Sequence, residues 1–524
     1  MHSHLSTKSS YLYYNIPERK RKLCYNINMT KQAKHSARIE RAIDFAKKAH
    51  EGQTRQSGEP FISHPLAVMQ IVQDWGMDED TIVAAVLHDT VEDTGISLQD
   101  IKEQFGEQVA FLVDGMTKLS KISSNMNDID TYLPNTKDNL LRLLVATGSD
   151  IRVLIIKLAD RLHNLRTLSS LPPDKQRRIA KESLEVFAPL ADRLNMGRLR
   201  TEMSDIAFSY VNPKRYNELH ELIDEYCKSA EKSMQKIQKE ISAALGREKI
   251  KFTISGRVKS VYSLHKKLIK HNQNMGEIYD LMALRIIVSD ITDCYLTLGV
   301  IHSLYMPMDG RIKDYIAMPK INGYQSLHTT VITKDKKIVE FQIRTKEMHE
   351  FAERGLAASF YYNEQKMTEN YRTGKIQHLP TSLLWITELQ DTAAKLKAGK
   401  KVNIKKLRLN LFADKIFVYT PKGDIIDLPK GSLPLDFAYR LHSEIGEHVT
   451  GVKINGKMSS LNTRLKHGDV VEILTSKNPT ARESWLDKVF TSHARQKLRA
   501  QLSKGTGAIR AKLPSRSPKS KKKA

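Results

Sequence analysis

Cysteine is scarce in this chain: three in 524 residues, Cys24, Cys227 and Cys294, far apart and never in a C-x-x-C spacing. That excludes a disulfide framework and a thiolate zinc knuckle, and it fits a reducing cytoplasm. Long apolar runs are missing too. None approaches the roughly 18 residues of a membrane helix, and no apolar stretch follows the charged start as in a secretory signal, so the sequence reads as soluble, with no membrane partner. Acid is the third shortage. Against 84 Lys+Arg stand 59 Asp+Glu, a formal charge of +25, which favours phosphate-bearing partners such as nucleotides or RNA without choosing among them. Residues 1–38 hold a single acid, Glu18, and the run PERKRK. They read as a basic, disordered extension: an arm, an overextended start with Met29 as initiator, or a transit peptide.

The length exceeds one hydrophobic core, so roughly two to four domains are expected. From Ile39 the apolar positions Ile39, Ala42, Ile43 and Ala46 fall at helical spacing, and the pattern recurs in DIRVLIIKLADRLHNLRTL and KESLEVFAPLADRLNMGRL. Residues 39–214 read as all-helical and 215–245 as a helical linker. In 246–375 the segments LRIIVSD and KKIVEFQIRT have strand character around a helical YSLHKKLIKH, a mixed α/β domain. A second helical linker, 376–408, precedes 409–476, where two strands around a Pro-Lys-Gly-Asp turn are followed by SLPLDFAYRLHSEIG, read as one helix with Ser432 before it, Pro434 in its first turn and Gly446 closing it. An Asn-Gly hairpin and the strand DVVEILT complete a small β-grasp order. Residues 477–524 read as a helical segment and a basic disordered tail. The fold class is thus multidomain α and α+β.

Two clusters run against the basic composition. If DTIVAAVLHDTVEDT is helical through Val91, His88 and Glu92 share a face, with Asp89 and Asp93 on the adjoining one. Adding His64 from ISHP and Asp160 from KLADRLHN gives two imidazoles and two carboxylates, a mixed donor set suited to a divalent ion such as Mn²⁺. Such an ion lowers the pKa of its water, and Glu92 or Asp93 is placed to orient and deprotonate that water for attack on a phosphoester. Acids on helices commonly face solvent, so spacing alone leaves both readings open. In the second cluster, SGRVKSVYSLHKKL brings Arg257, Lys259, Lys266 and Lys267 within reach of a triphosphate. Alternation in VEFQIRT sends Glu340, Gln342 and Arg344 to one face and Val339, Phe341 and Ile343 to the other. Asp280 would supply a second carboxylate for a Mg²⁺–polyphosphate site. A solvated basic face looks the same at this level.

The motifs GQTRQSGEPFISHPLAV, VAAVLHDTVEDT, FLVDGMTKL and IRVLIIKLADRLHNLRTL resemble the HD hydrolase domain of the RelA/SpoT homologue family, enzymes that make and destroy the alarmone (p)ppGpp. The resemblance implies that His64, His88, Asp89 and Asp160 hold Mn²⁺, and that Glu92 and Asp93 handle the water that removes the 3′-pyrophosphate. Arg55, Ser57, Asn164 and Thr167 would then contact the nucleotide. Gln56 stands where the family has Lys, and residues 125–143 lack its usual Glu-Asn-x-Arg-Lys segment; one cation fewer should weaken substrate binding more than chemistry.

GRVKSVYS, IYDLMALRIIV, GRIKDYIAMPKINGYQSLHTT and EFQIRTKEMHEFAERG resemble the family's synthetase domain, a nucleotidyltransferase-like fold that moves the βγ-pyrophosphate of ATP to the 3′-OH of GDP or GTP. By that resemblance Asp280 and Glu340 hold Mg²⁺ and Glu340 activates the hydroxyl. Arg257, Lys259, Ser263 and Lys267 grip ATP phosphates, Tyr324 stacks on guanine with Asn322 and His328 nearby, and Gln342 and Arg344 join the binding set. Arg311-Ile312-Lys313-Asp314 is similar to the basic form of a segment that marks bifunctional members, with Arg311 and Lys313 facing substrate; AASF at 357–360 departs from Ala-Ala-His-Trp. Residues 409–476 resemble a TGS domain, which implies contact with uncharged tRNA or the ribosome. The expectation is a bifunctional (p)ppGpp synthetase and hydrolase. Two alternatives remain: hydrolysis alone, or a tRNA- or ribosome-associated protein whose nucleotide sites only sense.

Overall fold

The computed structural model describes residues 36–124, 150–274, 281–320, 322–355, 415–421, 423–466 and 468–510. Asp280, the AASF run, the 125–143 segment, the 376–408 linker, most of the N-terminal extension and residues 511–524 lie outside them. The chain divides into two compact units, Met1–Val402 and Asn403–Ala524.

The first unit opens with helices α1 (Ala37–Ala49), α2 (Ser63–Asp74), α3 (Glu79–Leu87), α4 (Thr90–Asp93), α5 (Leu98–Phe105), α6 (Glu107–Ser124) and α7 (Ile151–Arg166). In α1 the Ser36 hydroxyl caps the helix by accepting the Ile39 N–H, and the stripe Ile39, Ala42 and Ala46 is buried as the 3.6-residue period requires. Helix α3 is buried on every side from Thr81 to Leu87, which makes it a rigid mount for whatever follows.

Helices α3 and α7 carry the first acidic cluster, and one side chain ties their starts together. Asp78 caps α3 through the Thr81 N–H and Asp150 caps α7 through the Arg152 N–H. The Arg152 guanidinium, 7% exposed, bonds Asp150 at 2.7 Å and Asp78 at 3.2 Å. Burial opposes its charge, but the Asp150 bond and the two carboxylates outweigh burial and raise its pKa. Arg152→Met would keep the bulk and leave buried Asp150 without its counter-charge. It should cost about 3–5 kcal/mol, read as earlier unfolding in thermal denaturation; an unchanged midpoint would refute this role.

Next come α8 (Pro173–Glu182), a π-turn at Ser183–Phe187, α9 (Ala188–Arg193), α10 (Gly197–Val211) and the long α11 (Pro213–Arg247). The helix expected as a linker is α11, and its second half is not a spacer: Met234, Ile237, Ile241 and Leu245 are buried in the core of the sheet that follows. That sheet is built from β1 (Phe252–Val258), β2 (Met282–Val288), β3 (Met306–Pro307), β4 (Lys313–Asp314), β5 (Leu327–Ile332) and β6 (Ile338–Thr345), in the order β1-β2-β6-β5-β3 with β4 beside β5. Only β2 and β6 run parallel. Helices α12 (Val261–Lys270) and α13 (Ile291–Leu304) interleave with these strands, and α14 (Lys346–Arg354) follows β6. Val339, Phe341 and Ile343 enter the core, so the alternating partners Glu340 and Gln342 turn to the other face.

The helical part and the sheet part meet at backbone distance. Gly355, at φ +58°, lies so close to the Leu194 carbonyl and to Asn195 that a Cβ would overlap them, and the Asn195 side chain donates to the Phe351 carbonyl at 3.0 Å. Only glycine fits that position.

The second unit contains β7 (Lys415–Tyr419), β8 (Ile425–Pro429), α15 (Pro434–Leu441), α16 (Ser443–Glu447), β9 (Val449–Ile454), β10 (Lys457–Ser459), β11 (Val471–Thr475) and α17 (Ser492–Arg510). Asn455 and Gly456, both at positive φ, make the turn between β9 and β10 that the Asn-Gly pair predicts. The expected single helix is corrected to two. His442 adopts an extended conformation between them, Leu433 rather than Ser432 occupies the cap, and the Asp436 carboxylate accepts the Leu433 N–H. Gly446 sits inside α16 and does not close it; a Cβ there would strike the Tyr439 ring, so the residue is fixed by close approach. Residues beyond the β-grasp order belong to its core. Trp485, Val489, Ala494 and Leu498 are buried with Leu435 and Tyr439, and buried Asp436 also accepts the Phe490 and Thr491 N–H groups.

Candidate functional site

Two polar centres emerge in the first unit. The first forms where α3 ends. The structure breaks the expected continuous helix at His88 and Asp89, which separate α3 from α4. Thr90 Oγ1 donates to the Leu87 carbonyl at 2.7 Å, satisfying a helix-end acceptor at the break. His64 comes from the first turn of α2 and Asp160 from the middle of α7. Their ligand atoms and that of His88 lie within 4.8 Å of one another. Asp89 joins them: its carboxylate oxygens are 3.1 Å from His88 Nε2 and 3.5 Å from His64 Nε2, while Asp160 is 3.3 Å from His64 Nε2. All four residues of the sequence-predicted set therefore converge.

The donor chemistry suits a divalent cation. His88 Nδ1 lies 2.8 Å from the Ala85 carbonyl, which can only accept, so Nδ1 carries a proton and in the neutral ring the lone pair is on Nε2. That Nε2 is buried and faces Asp89 at 3.1 Å. In the protein alone, burial disfavours the His88 cation, yet Asp89 and then Asp160 outweigh it and push its pKa up to about 9. Burial likewise opposes the Asp160 charge, but the Lys157 ammonium at 2.7 Å and His64 hold that carboxyl well below the usual range. Two carboxylates and two imidazole nitrogens converging in a buried pocket fit an oxygen- and nitrogen-coordinated ion.

The other predicted residues surround this centre unevenly. Asn164 follows Asp160 at i+4 on α7 and donates to it at 2.6 Å, while Thr167 caps the C-terminal end of that helix. Arg55 reaches the Asn164 amide oxygen at 3.3 Å from a turn closed by the Gly58 N–H on the Arg55 carbonyl. Gln56 and Ser57 are exposed at the tip of that turn. Glu92 and Asp93 lie on α4, both exposed; lost hydration and then the Asp89 charge raise the Asp93 carboxyl. His163 went unremarked in the sequence, although its i+3 offset from Asp160 puts it on the same face of α7. It packs against His64, and burial followed by the His64 and Arg55 charges lowers its pKa to about 3.

The second centre lies on the polar face of the sheet. Tyr324 Oη is 3.0 Å from His328 Nε2, and His328 Nδ1 is 3.0 Å from Glu340 Oε1. Gln342 donates to Glu340 Oε2 at 3.4 Å, and Arg257 donates to Gln342 at 2.9 Å. Five residues expected in the nucleotide site thus form one hydrogen-bonded line across four elements. Because the Glu340 carboxylate only accepts, His328 Nδ1 donates to it and Nε2 accepts the Tyr324 hydroxyl. Lys313 on β4 pairs in register with His328. Ser263 and Lys267 lie on α12, Lys259 precedes that helix, and Arg311 is exposed before β4. Asn322 donates to the Asp192 carbonyl at 3.1 Å, so the loop carrying Tyr324 touches α9. Lys320, unnoticed in the sequence, stands over the Tyr315 and Tyr324 rings at 4.5 and 4.6 Å.

One predicted binder is placed elsewhere. Arg344 has the expected strand phase, but α14 crosses that end of β6; the guanidinium is 2% exposed and bonds His349 and Glu353. Glu353 also pairs with Arg285 at 3.1 Å, making a network on the same face of the sheet as Gln342, where α14 covers it.

The cationic helix α12 is held from the helical side. Asp205 on α10 accepts the Tyr262 N–H at 3.0 Å in its first turn. Burial raises the Asp205 carboxyl to about 6, against the opposing Tyr262 and Val261 N–H groups and the Ser260 hydroxyl. A raised folded pKa means the folded state binds this proton more tightly than the unfolded chain. Stability is therefore greatest with the carboxyl protonated and falls as pH rises from the ordinary 3.8 through about 6. Relative to Asp205→Asn, the unaltered protein should lose about 3 kcal/mol across that window. Denaturant unfolding of both proteins at its two ends measures this, and a pH-independent difference would contradict it.

Comparison with known proteins gives the following. Residues 42–197 match the HD domain, 256–367 the region found in RelA/SpoT proteins, and 416–475 the TGS domain. A protein of Synechocystis sp. named as a probable guanosine-3′,5′-bis(diphosphate) 3′-pyrophosphohydrolase is 43% identical over 460 residues, 88% of this chain and 59% of that protein. A probable GTP pyrophosphokinase of Mycobacterium leprae is 42% identical over 468 residues, 89% of this chain and 58% of its own. The bifunctional (p)ppGpp synthase/hydrolase SpoT of Escherichia coli is 42% identical over 466 residues, covering 89% and 64%. The chain spans 58–64% of the lengths of these relatives.

Proposed function

We propose, because the chain belongs to the RelA/SpoT family with its HD, RelA/SpoT and TGS regions in that order, that it both makes and removes (p)ppGpp. The family implies divalent metals; the finer assignment is Mn²⁺ for removal, which the mixed imidazole and carboxylate set supports, and Mg²⁺ for synthesis. The observation that carries the reading is the convergence of His64, His88, Asp89 and Asp160 beside a second, hydrogen-bonded set around Glu340 on the polar face of the sheet.

In the removal reaction, His64, His88, Asp89 and Asp160 would hold the ion. When bound, it lowers the pKa of a water and offsets pyrophosphate charge. Asp93 or Glu92 takes a proton from the attacking water, Arg55 and Asn164 position the nucleotide, and the 3′-oxygen leaves the proximal phosphorus, giving GDP or GTP and pyrophosphate. In synthesis, Glu340 and Asp280 would hold Mg²⁺, which offsets triphosphate charge. Arg257, Lys259, Ser263 and Lys267 bind ATP phosphates, and Tyr324 and Asn322 hold the acceptor purine nucleotide. Glu340, oriented by His328, takes the 3′-hydroxyl proton as that oxygen bonds the β-phosphorus and AMP leaves. Through the TGS region and the basic α17 the chain would meet uncharged tRNA or the ribosome, by phosphate contacts.

The test is a pair of incubations of the purified protein, one with Mg²⁺, labelled ATP and GDP, the other with Mn²⁺ and ppGpp. The reading expects ppGpp in the first and its loss in the second. No turnover in either, with tRNA retained on a filter, would favour a nucleotide-sensing RNA-binding protein.

A further inference from the structure

His64 has two ring nitrogens, and only one faces the acidic cluster. Its Nε2 points at Asp89 and Asp160, at 3.5 and 3.3 Å. Its Nδ1 points away and lies 2.8 Å from Nδ1 of His163. Between two imidazole nitrogens at that distance one must donate and the other accept, and the pair alone does not say which. A third group decides it. Arg55 Nη1 approaches the same His163 Nδ1 at 3.4 Å, and a guanidinium has five N–H donors and no acceptor. His163 Nδ1 is therefore the acceptor for both neighbours, so His64 Nδ1 must carry a proton. A neutral His64 then has its lone pair on Nε2, toward the cluster.

We propose that His163 is a positioning residue that selects the His64 tautomer able to ligate a metal ion. This rests on the reading of His64, His88, Asp89 and Asp160 as a metal centre. The same device appears at His88, where the Ala85 carbonyl accepts from Nδ1–H and so turns Nε2 toward Asp89 and the cluster. The two imidazoles are thus prepared alike by different acceptors, one in the backbone and one a second imidazole. His163 is itself half-buried and held beside Arg55, whose other nitrogen bonds Asn164. The turn that carries Arg55 therefore acts on the metal centre through His163. Loss of such an outer acceptor typically weakens metal affinity about 10–100-fold.

The experiment is a Mn²⁺ titration of the full chain, following the free-ion paramagnetic resonance signal, with no nucleotide present. Four proteins are compared: unaltered, H64A, H163L and H163N. Asparagine places an amide oxygen near the position of the imidazole Nδ1 and so keeps the acceptor; leucine keeps bulk and removes it. The expected result is tight binding in the unaltered protein, none of that class in H64A, about 10–100-fold weakening in H163L, and recovery to within about threefold in H163N. If H64A binds as the unaltered protein does, the metal centre itself is misread. If H64A fails and H163L binds normally, the centre stands and the role of His163 is wrong. Should H163L fail to fold, H163N decides alone: weakening by tenfold or more in a protein that melts like the unaltered one would overturn the acceptor role.

Discussion

His88→Ala should abolish removal of the 3′-pyrophosphate from ppGpp while leaving synthesis from ATP and GDP within about twofold. His88 turns a buried imidazole nitrogen toward Asp89 at 3.1 Å and has its other nitrogen fixed as a donor to the Ala85 carbonyl. Truncation leaves Asp89 without its nearest partner and, on the proposed reading, removes a metal ligand, so the ion and the activation of water would be lost together. A loss of at least about a hundredfold is expected, since general acid–base assistance alone contributes 10²–10⁴. The variant also opens a cavity at the end of the fully buried α3, worth about 2–3 kcal/mol. That cost lowers the melting temperature without touching the sheet. Release of pyrophosphate from labelled ppGpp measures the first effect and ATP-dependent ppGpp formation the second. Retention of more than a tenth of the hydrolytic rate would remove His88 from the centre.

Glu340→Gln should do the reverse. The amide is isosteric and its oxygen can still accept from His328 Nδ1, so the Tyr324–His328 link survives; only the 3.4 Å bond from Gln342 is lost, because one amide NH₂ then faces another, and folding should change little. What disappears is the negative charge, and with it, on the proposed reading, a metal ligand and the group that takes the 3′-hydroxyl proton. Synthesis should fall by about 10³-fold or more, with hydrolysis unaltered. Glu340→Gln that still makes ppGpp at a tenth of the original rate would move the proton acceptor to another residue.

Much of this was legible because the chemistry sits in short motifs. His64, His88, Asp89 and Asp160 are unusual residues for a cationic chain, and three-dimensional convergence is what a shared ion would demand of them. Strand period gave the face of Glu340 and Gln342 for the same reason: alternation is geometric. Arg344 shows the limit of that logic, since the period fixes the face of a residue but not whether a helix such as α14 later covers it. His163 was overlooked because its role is set by a tautomer, which depends on Arg55, more than a hundred positions away in the chain. The break at His88 and the split at His442 are equally invisible to periodicity, because tertiary contacts impose them on runs of good helix formers. The burial of Trp485 and Leu498 under α15 could not be read either, as a basic helix announces its charged face more loudly than its apolar one.

The central claim is that two independent centres share one chain, and the most direct measurement is a crossed assay of the two variants, each tested for hydrolysis and for synthesis. The prediction is a clean exchange: H88A synthesises and does not hydrolyse, E340Q hydrolyses and does not synthesise. Loss of both activities in either folded variant would contradict it.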